Sequence, residues 1–256
     1  MITAKLNGGL GNQMFQVAVT VSLALDNMVY YAFNLDNKVV MQGKPAKTYK
    51  TSVFKNLPEL PNEWVPKSIF KEQSPNHKPI PFEDDMEIRG YFQSEKNFIN
   101  NKNWIVNMFS HKPTIDNLRD RYKDILGDSV SVHIRRGDYV KIGNARDIEY
   151  FYRALNTLWS ATITKNILVF SDDISWCENN FGYSQDNNIH FISGMEDYED
   201  MYLMSLCTNN ITDMSSFSWW GAYLNRTPNK RVIMPGILSE AHTSDFYFNG
   251  VIIIPQ

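Results

Sequence analysis

Cysteine is scarce in this chain, since only Cys177 and Cys207 occur among its 256 residues. Their spacing matches neither a CxxC motif nor a metal site, which argues against a disulfide framework and indicates a reducing compartment. Long apolar runs are also missing: no segment reaches the roughly 18 apolar residues that a membrane-spanning helix needs, and the opening "MITAKLNGG" lacks the apolar core of a signal peptide. We therefore expect a cytoplasmic protein without membrane insertion, for which peripheral association with a membrane stays open.

An excess of positive charge is missing too. The chain has 25 Lys and Arg against 28 Asp and Glu, a net charge of −3 and a pI near 6.0. Proteins that bind nucleic acid or anionic membranes through their overall charge are basic. We therefore expect no nucleic-acid partner, and any bound anion must be held by local groups.

The first half of the chain shows a mixed pattern. Apolar residues alternate over residues 2–6 as in a strand and recur at helical spacing over 14–25, and residues 28–33 have the composition of a second strand. Residues 45–81 hold seven of the 11 prolines, which favours irregular connections that form either a binding surface or lid or a long ordered loop. A strand over residues 86–92 and helices over 98–109 and 113–126 follow.

The second half alternates regularly between strands and helices. Strands are predicted over residues 130–134, 167–170, 189–192, 209–212 and 231–234, with helical patterns between most of them. Such alternation is typical of a parallel sheet covered by helices. We therefore predict an α/β protein with an N-terminal lobe over residues 1–127 and a C-terminal lobe over residues 128–256.

The segment "SVHIRRGDY" ends one strand of the C-terminal lobe. The two-residue period of a strand puts His133 and Arg135 on one side and Arg136 on the other. Ligands of open α/β sheets bind beyond the carboxyl ends of the strands, so a positively charged pair there, closed by Gly137 and Asp138, predicts an anion clamp. Two alternatives stay open: a solvated strand end in which Asp138 pairs with Arg136, and an exposed Arg-Gly-Asp adhesion motif.

A second strand ends in "FSDD". Its Ser171, Asp172 and Asp173 would lie at the same sheet edge, where carboxylates accept hydrogen bonds from a base or a ribose. The same residues are good caps for the following helix. A metal site is a further alternative, but the segment has no D-x-D spacing and no neighbouring histidine.

The third strand-to-helix turn is "TDMSSFSWWGAYL". Hydroxyl groups and unpaired backbone N–H groups at a helix start form a phosphate site, although a plain N-cap uses the same residues. The residues concerned are Ser215, Ser216, Phe217 and Ser218. We expect Trp219 and Trp220 to pack the helix onto the sheet.

These three turns converge on one sheet edge, which favours a nucleotide site. Other nucleotide motifs are missing: G-x-x-x-x-G-K-[ST] does not occur, and Met14 stands where G-x-G-x-x-G needs its third glycine. In the N-terminal lobe, the glycines of "NGGLGNQ" allow a tight turn and close backbone approach. Gly11, Asn12 and Gln13 would then face a neutral polyol or the far end of a diphosphate across a cleft between the lobes.

Five motifs occur in the order "GGLGNQMFQ", "GYFQSEKNF", "HIRRGDY", "FSDD" and "SSFSWWGAYL", and together they span nearly the whole chain. In this combination the chain closely resembles the alpha-1,2-fucosyltransferases of glycosyltransferase family 11. The segment "HIRRGD" is shared more widely, with alpha-1,6- and protein O-fucosyltransferases. The resemblance implies a GT-B-like fold of two Rossmann-type lobes with a cleft between them, and inverting, metal-independent transfer of L-fucose without a cofactor. The donor would be GDP-β-L-fucose, bound by the C-terminal lobe. The N-terminal lobe would face the acceptor, a galactoside hydroxyl of an oligosaccharide or glycolipid, most simply in alpha-1,2 linkage.

The resemblance also implies roles for individual residues. Arg135 corresponds to the arginine that binds the β-phosphate, with His133 beside it, and we assign catalysis to Arg135, His133 and Asp138. Gln93 would lie toward the acceptor. Donor binding is assigned to a larger set, in which Asp172 meets guanine or ribose and the serines meet the diphosphate: Gly11, Asn12, Gln13, Arg135, Asp172, Ser215, Ser216, Phe217 and Ser218.

Some positions depart from the family pattern. Val17 replaces a frequent tyrosine, and the segment "TDM" before the serine motif adds the carboxylate of Asp213, which could alter donor affinity or serve in catalysis. Asp138, Asp213 and Glu95 are all candidates for the base that takes the acceptor proton, and none is preferred. A fucosyltransferase of another linkage and a non-catalytic sugar-nucleotide-binding module remain alternative functions.

Overall fold

The structure is a computed structural model that describes residues 1–36, 43–159, 164–182, 188–237 and 242–255. The chain forms two compact units. The first comprises Met1–His111 with Ala241–Phe248, and the second comprises Lys112–Glu240 with Asn249–Gln256. The first boundary between the units along the chain lies between residues 111 and 112, whereas the sequence suggested a boundary after residue 127. The reason is that helix α3 (Lys112–Arg121) packs against a helix of the second unit, α8 (Asp197–Leu206).

The first unit is built on a small parallel sheet. Its strands β1 (Ile2–Ala4), β2 (Ser68–Lys71) and β3 (Met86–Arg89) lie in the order β1-β3-β2. Helix α1 (Leu10–Asp26) follows β1 and is buried along most of its length. A shorter helix, α2 (Lys102–Met108), follows two single turns of 3₁₀ helix.

Two expectations for this unit were wrong. Residues 28–33 form isolated bridges at Tyr31 and Phe33 instead of a strand, because the run begins at Met28 in a left-handed conformation (φ 54°) and its apolar Met28 and Tyr30 side chains point to solvent. The proline-rich region, expected to be irregular, contains the edge strand β2 between Pro66 and Pro75. Proline is tolerated beside an edge strand, since such a strand pairs on one side only.

The second unit contains a six-stranded parallel sheet. Its strand order is β6-β5-β4-β7-β8-β9, and the strands are β4 (Ser129–Ile134), β5 (Asn166–Ser171), β6 (Asn188–Phe191), β7 (Asn209–Ile211), β8 (Val232–Pro235) and β9 (Val251–Ile254). Five of these strands were predicted to within about a residue. Strand β9 was missed, because its short run "VIII" is not followed by a helical pattern.

Helices cover the sheet of the second unit. All six residues of β4 are buried, as expected for a central strand with helices on both faces. Buried residues of α6 such as Phe151 and Leu155 pack on this sheet, and Trp219 and Trp220 are fully buried as expected. The helices are α4 (Lys123–Leu126), α5 (Gly137–Lys141), α6 (Ile148–Trp159), α7 (Ile174–Asn180), α8 and α9 (Ser216–Leu224), besides α3.

Candidate functional site

The candidate site lies at one edge of the second unit's sheet. Numbered within this unit, the strand order is 3-2-1-4-5-6, so the direction of winding reverses between β4 and β7. In sheets of this kind ligands bind beyond the carboxyl ends of the strands at the reversal. Arg135 directly follows β4, and Asp213 follows β7 by two residues. The topology therefore selects this pair of loops.

Arg135 is held by two carboxylates that the sequence placed at the same edge. Its Nε and Nη2 donate to Oδ1 of Asp138 at 3.1 and 2.7 Å, and its Nη1 lies 2.8 Å from Oδ2 of Asp172. All three side chains are about one quarter to two fifths exposed. Asp138 thus pairs with Arg135, and the alternative in which it pairs with Arg136 was wrong. The result is a guanidinium fixed in orientation by two partners yet open to solvent.

Arg136, two residues beyond the end of β4, contacts other side chains than Arg135 does. Its guanidinium carbon lies 3.4 Å from the centre of the Trp176 ring, and its Nε lies 3.5 Å from Asp173. Asp173 also caps α7 by accepting the N–H of Trp176. The two aspartates of "FSDD" therefore divide their roles: Asp172 binds the arginine loop and Asp173 caps a helix.

His133 is a neutral group beside the start of α9. It is 4% exposed, and its ring lies 5.6 Å from that of Phe217. Burial, together with the charge of Arg135, lowers the pKa of His133 to about 3. The expectation of a positively charged His133–Arg135 pair was wrong for this reason, since a neutral histidine leaves the arginine as the charged member.

The start of α9 is a capped helix end. Ser215 accepts the N–H of Phe217 at 3.3 Å, as an N-cap does. Ser218 is 1% exposed and its hydroxyl donates to the carbonyl of Ser215 at 3.4 Å. Ser216, the first residue of the helix, is partly exposed. The N-terminus of a nine-residue helix thus lies in the loop that follows β7, next to His133 of β4.

Asp213 ties the two loops of the edge together. It is fully buried, and its carboxylate accepts the backbone N–H of Arg135 at 3.0 Å and that of Met214 at 2.7 Å. Nε of the buried Arg146 lies 3.6 Å away, and Nη2 of Arg146 donates to the carbonyl of Gly236. Arg146 was missed in the sequence, because it lies in an irregular segment 67 residues before Asp213 with no motif around it.

The titration of Asp213 gives a test of this buried site. Burial raises the pKa of its carboxyl from 3.8 to about 6, although Arg146 and the two N–H groups act in the opposite direction. The folded state binds this proton more tightly than the unfolded state does. Protonation of Asp213 therefore raises the free energy of unfolding fully below about pH 4, and this contribution is lost as the pH rises through about 6. In Asp213→Asn this dependence is absent. The free energies of unfolding of both proteins are measured in urea at pH 4.5 and at pH 7. Between these pH values we expect the wild type to lose about 2 kcal/mol more than Asp213→Asn does. Equal changes in the two proteins would contradict the raised pKa of Asp213.

Gly137 begins α5 against the carboxylate of Asp172. A Cβ atom at this position would overlap Oδ2 of Asp172, so Gly137→Ala must displace the side chain that orients Arg135. Misplacing a catalytic group by about 1 Å costs roughly 10²-fold in rate, and we expect a loss of that order in kcat/KM with little change in melting temperature. Gly127→Ala is the matched control, since a Cβ there meets no atom within 4 Å. Equal activity of the two variants would show that the Asp172 contact is unimportant.

The glycine turn of the first unit is organised by side-chain amides. Gly8 is left-handed (φ 79°), and Nε2 of the buried Gln13 donates to the carbonyls of Gly8 and Lys44, both at 2.8 Å. Oδ1 of Asn12 accepts Nε2 of Gln93 at 2.7 Å. Asn12 and Gln93 are therefore in contact. The amide nitrogen of Gln13 stabilises the turn through its two hydrogen bonds. Gly11 lies within the first turn of α1.

Among the residues that the structure describes, no set of three or more His, Cys, Asp or Glu is arranged to hold a metal ion. None of the helices that these described residues form is both long and apolar enough to cross a membrane.

Comparison with known sequences agrees with the motifs. The sequence model of glycosyl transferase family 11 matches residues 1–248. An alpha-1,2-colitosyltransferase of Escherichia coli is 32% identical over 255 residues, covering 88% of this chain and 87% of that protein. The O-antigen biosynthesis glycosyltransferase WbnK of Escherichia coli is 30% identical (90% and 92% covered), and the human galactoside alpha-(1,2)-fucosyltransferase 1 is 26% identical (85% and 64% covered).

Comparison with solved structures gives the fold. The alpha-1,6-fucosyltransferase NodZ, known from Bradyrhizobium and solved after soaking with GDP-fucose, superposes with a TM-score of 0.51 at 13% identity, over 87% of this chain and 91% of that chain. POFUT1 in complex with GDP-fucose gives a TM-score of 0.52 at 10% identity, over 91% and 97%. At such identities the likeness shows the fold alone, and it confirms the expected GT-B-like class.

Proposed function

The chain belongs to glycosyl transferase family 11 and is a glycosyltransferase, and from this we propose that it transfers L-fucose from GDP-β-L-fucose to a galactoside hydroxyl in alpha-1,2 linkage. The observation that carries the proposal is Arg135, oriented by Asp138 and Asp172 at the strand reversal of a parallel sheet. Relatives whose names state alpha-1,2 transfer cover most of the chain, which supports the linkage.

The reaction would be a single displacement with inversion. The acceptor oxygen forms a bond to the anomeric carbon of fucose on the face opposite GDP, while the bond to the β-phosphate oxygen breaks and its electron pair leaves with GDP. Negative charge grows on the departing diphosphate. Fixed donors in a site with little water stabilise such charge most in the transition state. We assign this role to the guanidinium of Arg135 and to the N-terminus of α9 around Ser216.

Other residues would have supporting roles. Neutral His133 would lie beside the phosphates without adding charge, and Asp172 would meet the guanosine. Of the three candidates for the base, Asp213 is fully buried and holds two backbone N–H groups; Glu95 is largely buried near Lys102. Asp138 is 38% exposed, but its Oδ1 accepts from the Arg135 guanidinium that we place on the departing diphosphate. The base must meet the acceptor on the opposite face, so we assign Asp138 to the orientation of Arg135 and none of the three carboxylates to the acceptor proton.

A second donor sugar deserves a direct test. One relative at 32% identity is named a colitosyltransferase, and colitose is fucose without its 3-hydroxyl group. A site that hydrogen-bonds this hydroxyl discriminates strongly against the deoxy sugar, whereas a site that does not bind it discriminates weakly. Both GDP-sugars therefore belong in the assay.

The test is a transfer assay with purified protein. GDP-fucose or GDP-colitose is mixed with lactose or N-acetyllactosamine in the presence of EDTA, and GDP release and product linkage are followed. We expect GDP release with a 2-linked α-L-fucosyl product, which would also separate the enzyme from a non-catalytic binding module. Another linkage would correct the regiochemistry, and failure to bind or turn over either donor would refute the assignment.

The cellular setting is part of the proposal. Cys177 and Cys207 are both buried and free, which is consistent with a reducing compartment. We propose that the enzyme acts in the cytoplasm, where an oligosaccharide or glycolipid acceptor at a membrane surface would be reached by peripheral association. No nucleic-acid partner enters the proposal.

A further inference from the structure

The first unit contains a pocket of which the motif assignments account for only one lining residue, Gln93. Its volume is about 130 Å³, and it is lined by residues of β2, of the segment after β2 and of the segment after β3. This volume is below the roughly 300–1,000 Å³ of pockets that enclose drug-sized ligands. A single monosaccharide unit suits it better than a nucleotide does. The lining residues that matter below are Phe70, His77, Phe92, Gln93, Ser94 and Asn97.

The backbone at Phe92 is strained and held in place. Phe92 has φ 52°, a left-handed conformation that is unusual for a bulky residue. The carboxylate of Glu72 accepts the N–H groups of Tyr91 at 2.7 Å and of Phe92 at 2.9 Å, and the amide of Asn97 donates to the carbonyl of Phe92. Such strain persists only where the surroundings fix it, and it clusters at ligand sites.

The strained backbone builds an aromatic wall. The rings of Phe92 and Phe70 lie nearly parallel, with an interplanar angle of 25° and centroids 6.4 Å apart. Phe92 is buried, whereas Phe70 on the edge strand is partly exposed. An apolar ring face with polar side chains around it matches the apolar face of a pyranose, whose hydroxyl groups project around its rim.

His77 lines the same pocket, and its hydrogen bonds assign its tautomer. The amide nitrogen of Asn97 donates to the carbonyls of Phe92 and Ser94 at 3.1 and 3.3 Å, which turns its Oδ1 toward Nδ1 of His77 at 3.1 Å. By this hydrogen-bond network Nδ1 carries the proton, and Nε2 is the acceptor of the neutral ring. Asp245 accepts the backbone N–H of His77 at 2.7 Å and pairs with Lys96. The imidazole is therefore anchored at both its ring and its backbone.

The pocket is also linked to the glycine turn. Gln93 lines the pocket, and its Nε2 donates to Oδ1 of Asn12. The motifs "GYFQ" and "GGLGNQ" thus meet at the pocket wall within the first unit.

We propose that this pocket binds one pyranose unit of the acceptor saccharide, with Phe70 against the apolar face of the sugar and Nε2 of His77 accepting a hydrogen bond from a hydroxyl group. The inference rests on the proposed glycosyl transfer. Selectivity follows from the imidazole, because an acceptor that a bound deoxy sugar covers and leaves unpaired costs affinity.

The test compares Phe70→Ala and His77→Ala with a matched control, Phe82→Ala, which removes a phenylalanine of the same unit that is 39% exposed and outside the pocket. Binding of methyl β-D-galactopyranoside, lactose and N-acetyllactosamine is measured without donor by saturation-transfer NMR. The KM values for lactose and GDP-fucose and the GDP release without acceptor are measured in parallel.

We expect Phe70→Ala to weaken lactose binding about 10- to 100-fold and His77→Ala about 10-fold. The KM for GDP-fucose and the acceptor-free GDP release should stay within about two-fold, and Phe82→Ala should match the wild type. Unchanged acceptor KM in both pocket variants, or no binding of any of the three sugars by the wild type, would overturn the pocket assignment. A third outcome separates the two proposals. If the wild type binds a sugar, the pocket variants do not, and neither GDP-sugar is bound or turned over, then the pocket assignment stands and the proposed function is refuted.

Discussion

Replacing Arg135 with lysine is expected to lower kcat/KM for fucosyl transfer by about 10²- to 10³-fold, the cost of removing one donor from a site of this kind. The charge is kept, but the planar fork is lost. In the structure three nitrogen atoms of this fork contact Asp138 and Asp172, and a lysine ammonium cannot reach both carboxylates and a diphosphate in the same geometry. Steady-state kinetics with GDP-fucose and lactose measure the effect.

The neighbouring arginine supplies the control for this experiment. Arg136→Lys makes the same chemical change one residue along, where the guanidinium lies on Trp176 and beside Asp173. We expect this variant to keep activity within about ten-fold of wild type, because its guanidinium contacts Trp176 and Asp173 rather than the two carboxylates that hold Arg135. If kcat/KM of Arg135→Lys stayed within a few-fold of wild type, Arg135 would not stabilise the transition state as proposed.

Asp213→Ala is expected to destabilise the fold by about 3–5 kcal/mol at pH 7.5, the usual cost of removing one member of a buried ion pair. The substitution leaves the buried Arg146, whose side chain is 2% exposed, opposite an empty site. It also takes the acceptor away from the N–H groups of Arg135 and Met214. Urea unfolding of wild type and variant gives the free-energy difference.

Two further proteins make this stability measurement specific. Asp116→Ala breaks exposed pairs with Lys112 and Arg119 on α3 and should change the free energy of unfolding far less. Asp213→Leu combined with Arg146→Met removes both buried charges and should regain part of the loss. If Asp213→Ala unfolded within about 1 kcal/mol of wild type, the buried pair would not hold the edge together.

The second unit could be predicted well, because its strands are buried runs separated by amphipathic helices. The edge that gathers Arg135, Asp172 and Ser215 follows from the rule that parallel strands end at the same side of a sheet. The pairing of Arg135 with Asp138 and Asp172 does not follow from it, since side-chain contacts between loops depend on local geometry. Arg146 could not be predicted either, because an isolated arginine in a loop belongs to no periodic pattern and to no motif.

The first unit could be predicted less well. Its strands have three or four residues each, too short for a clear alternation. The left-handed backbone at Phe92 and the bracing by Glu72 involve residues 20 positions apart, which no local pattern reports. Predictions from sequence therefore reached the glycine turn, Gln93 and, as one alternative, a binding surface within residues 45–81, but they did not single out Phe70 or His77.

The most direct test of the central claim is a crystal structure of the protein with GDP. We predict the β-phosphate oxygens within about 2.7–3.2 Å of the Arg135 guanidinium and of backbone N–H groups at the start of α9, with guanosine toward Asp172. GDP bound elsewhere, with no phosphate oxygen within hydrogen-bond distance of the Arg135 guanidinium, would contradict the account.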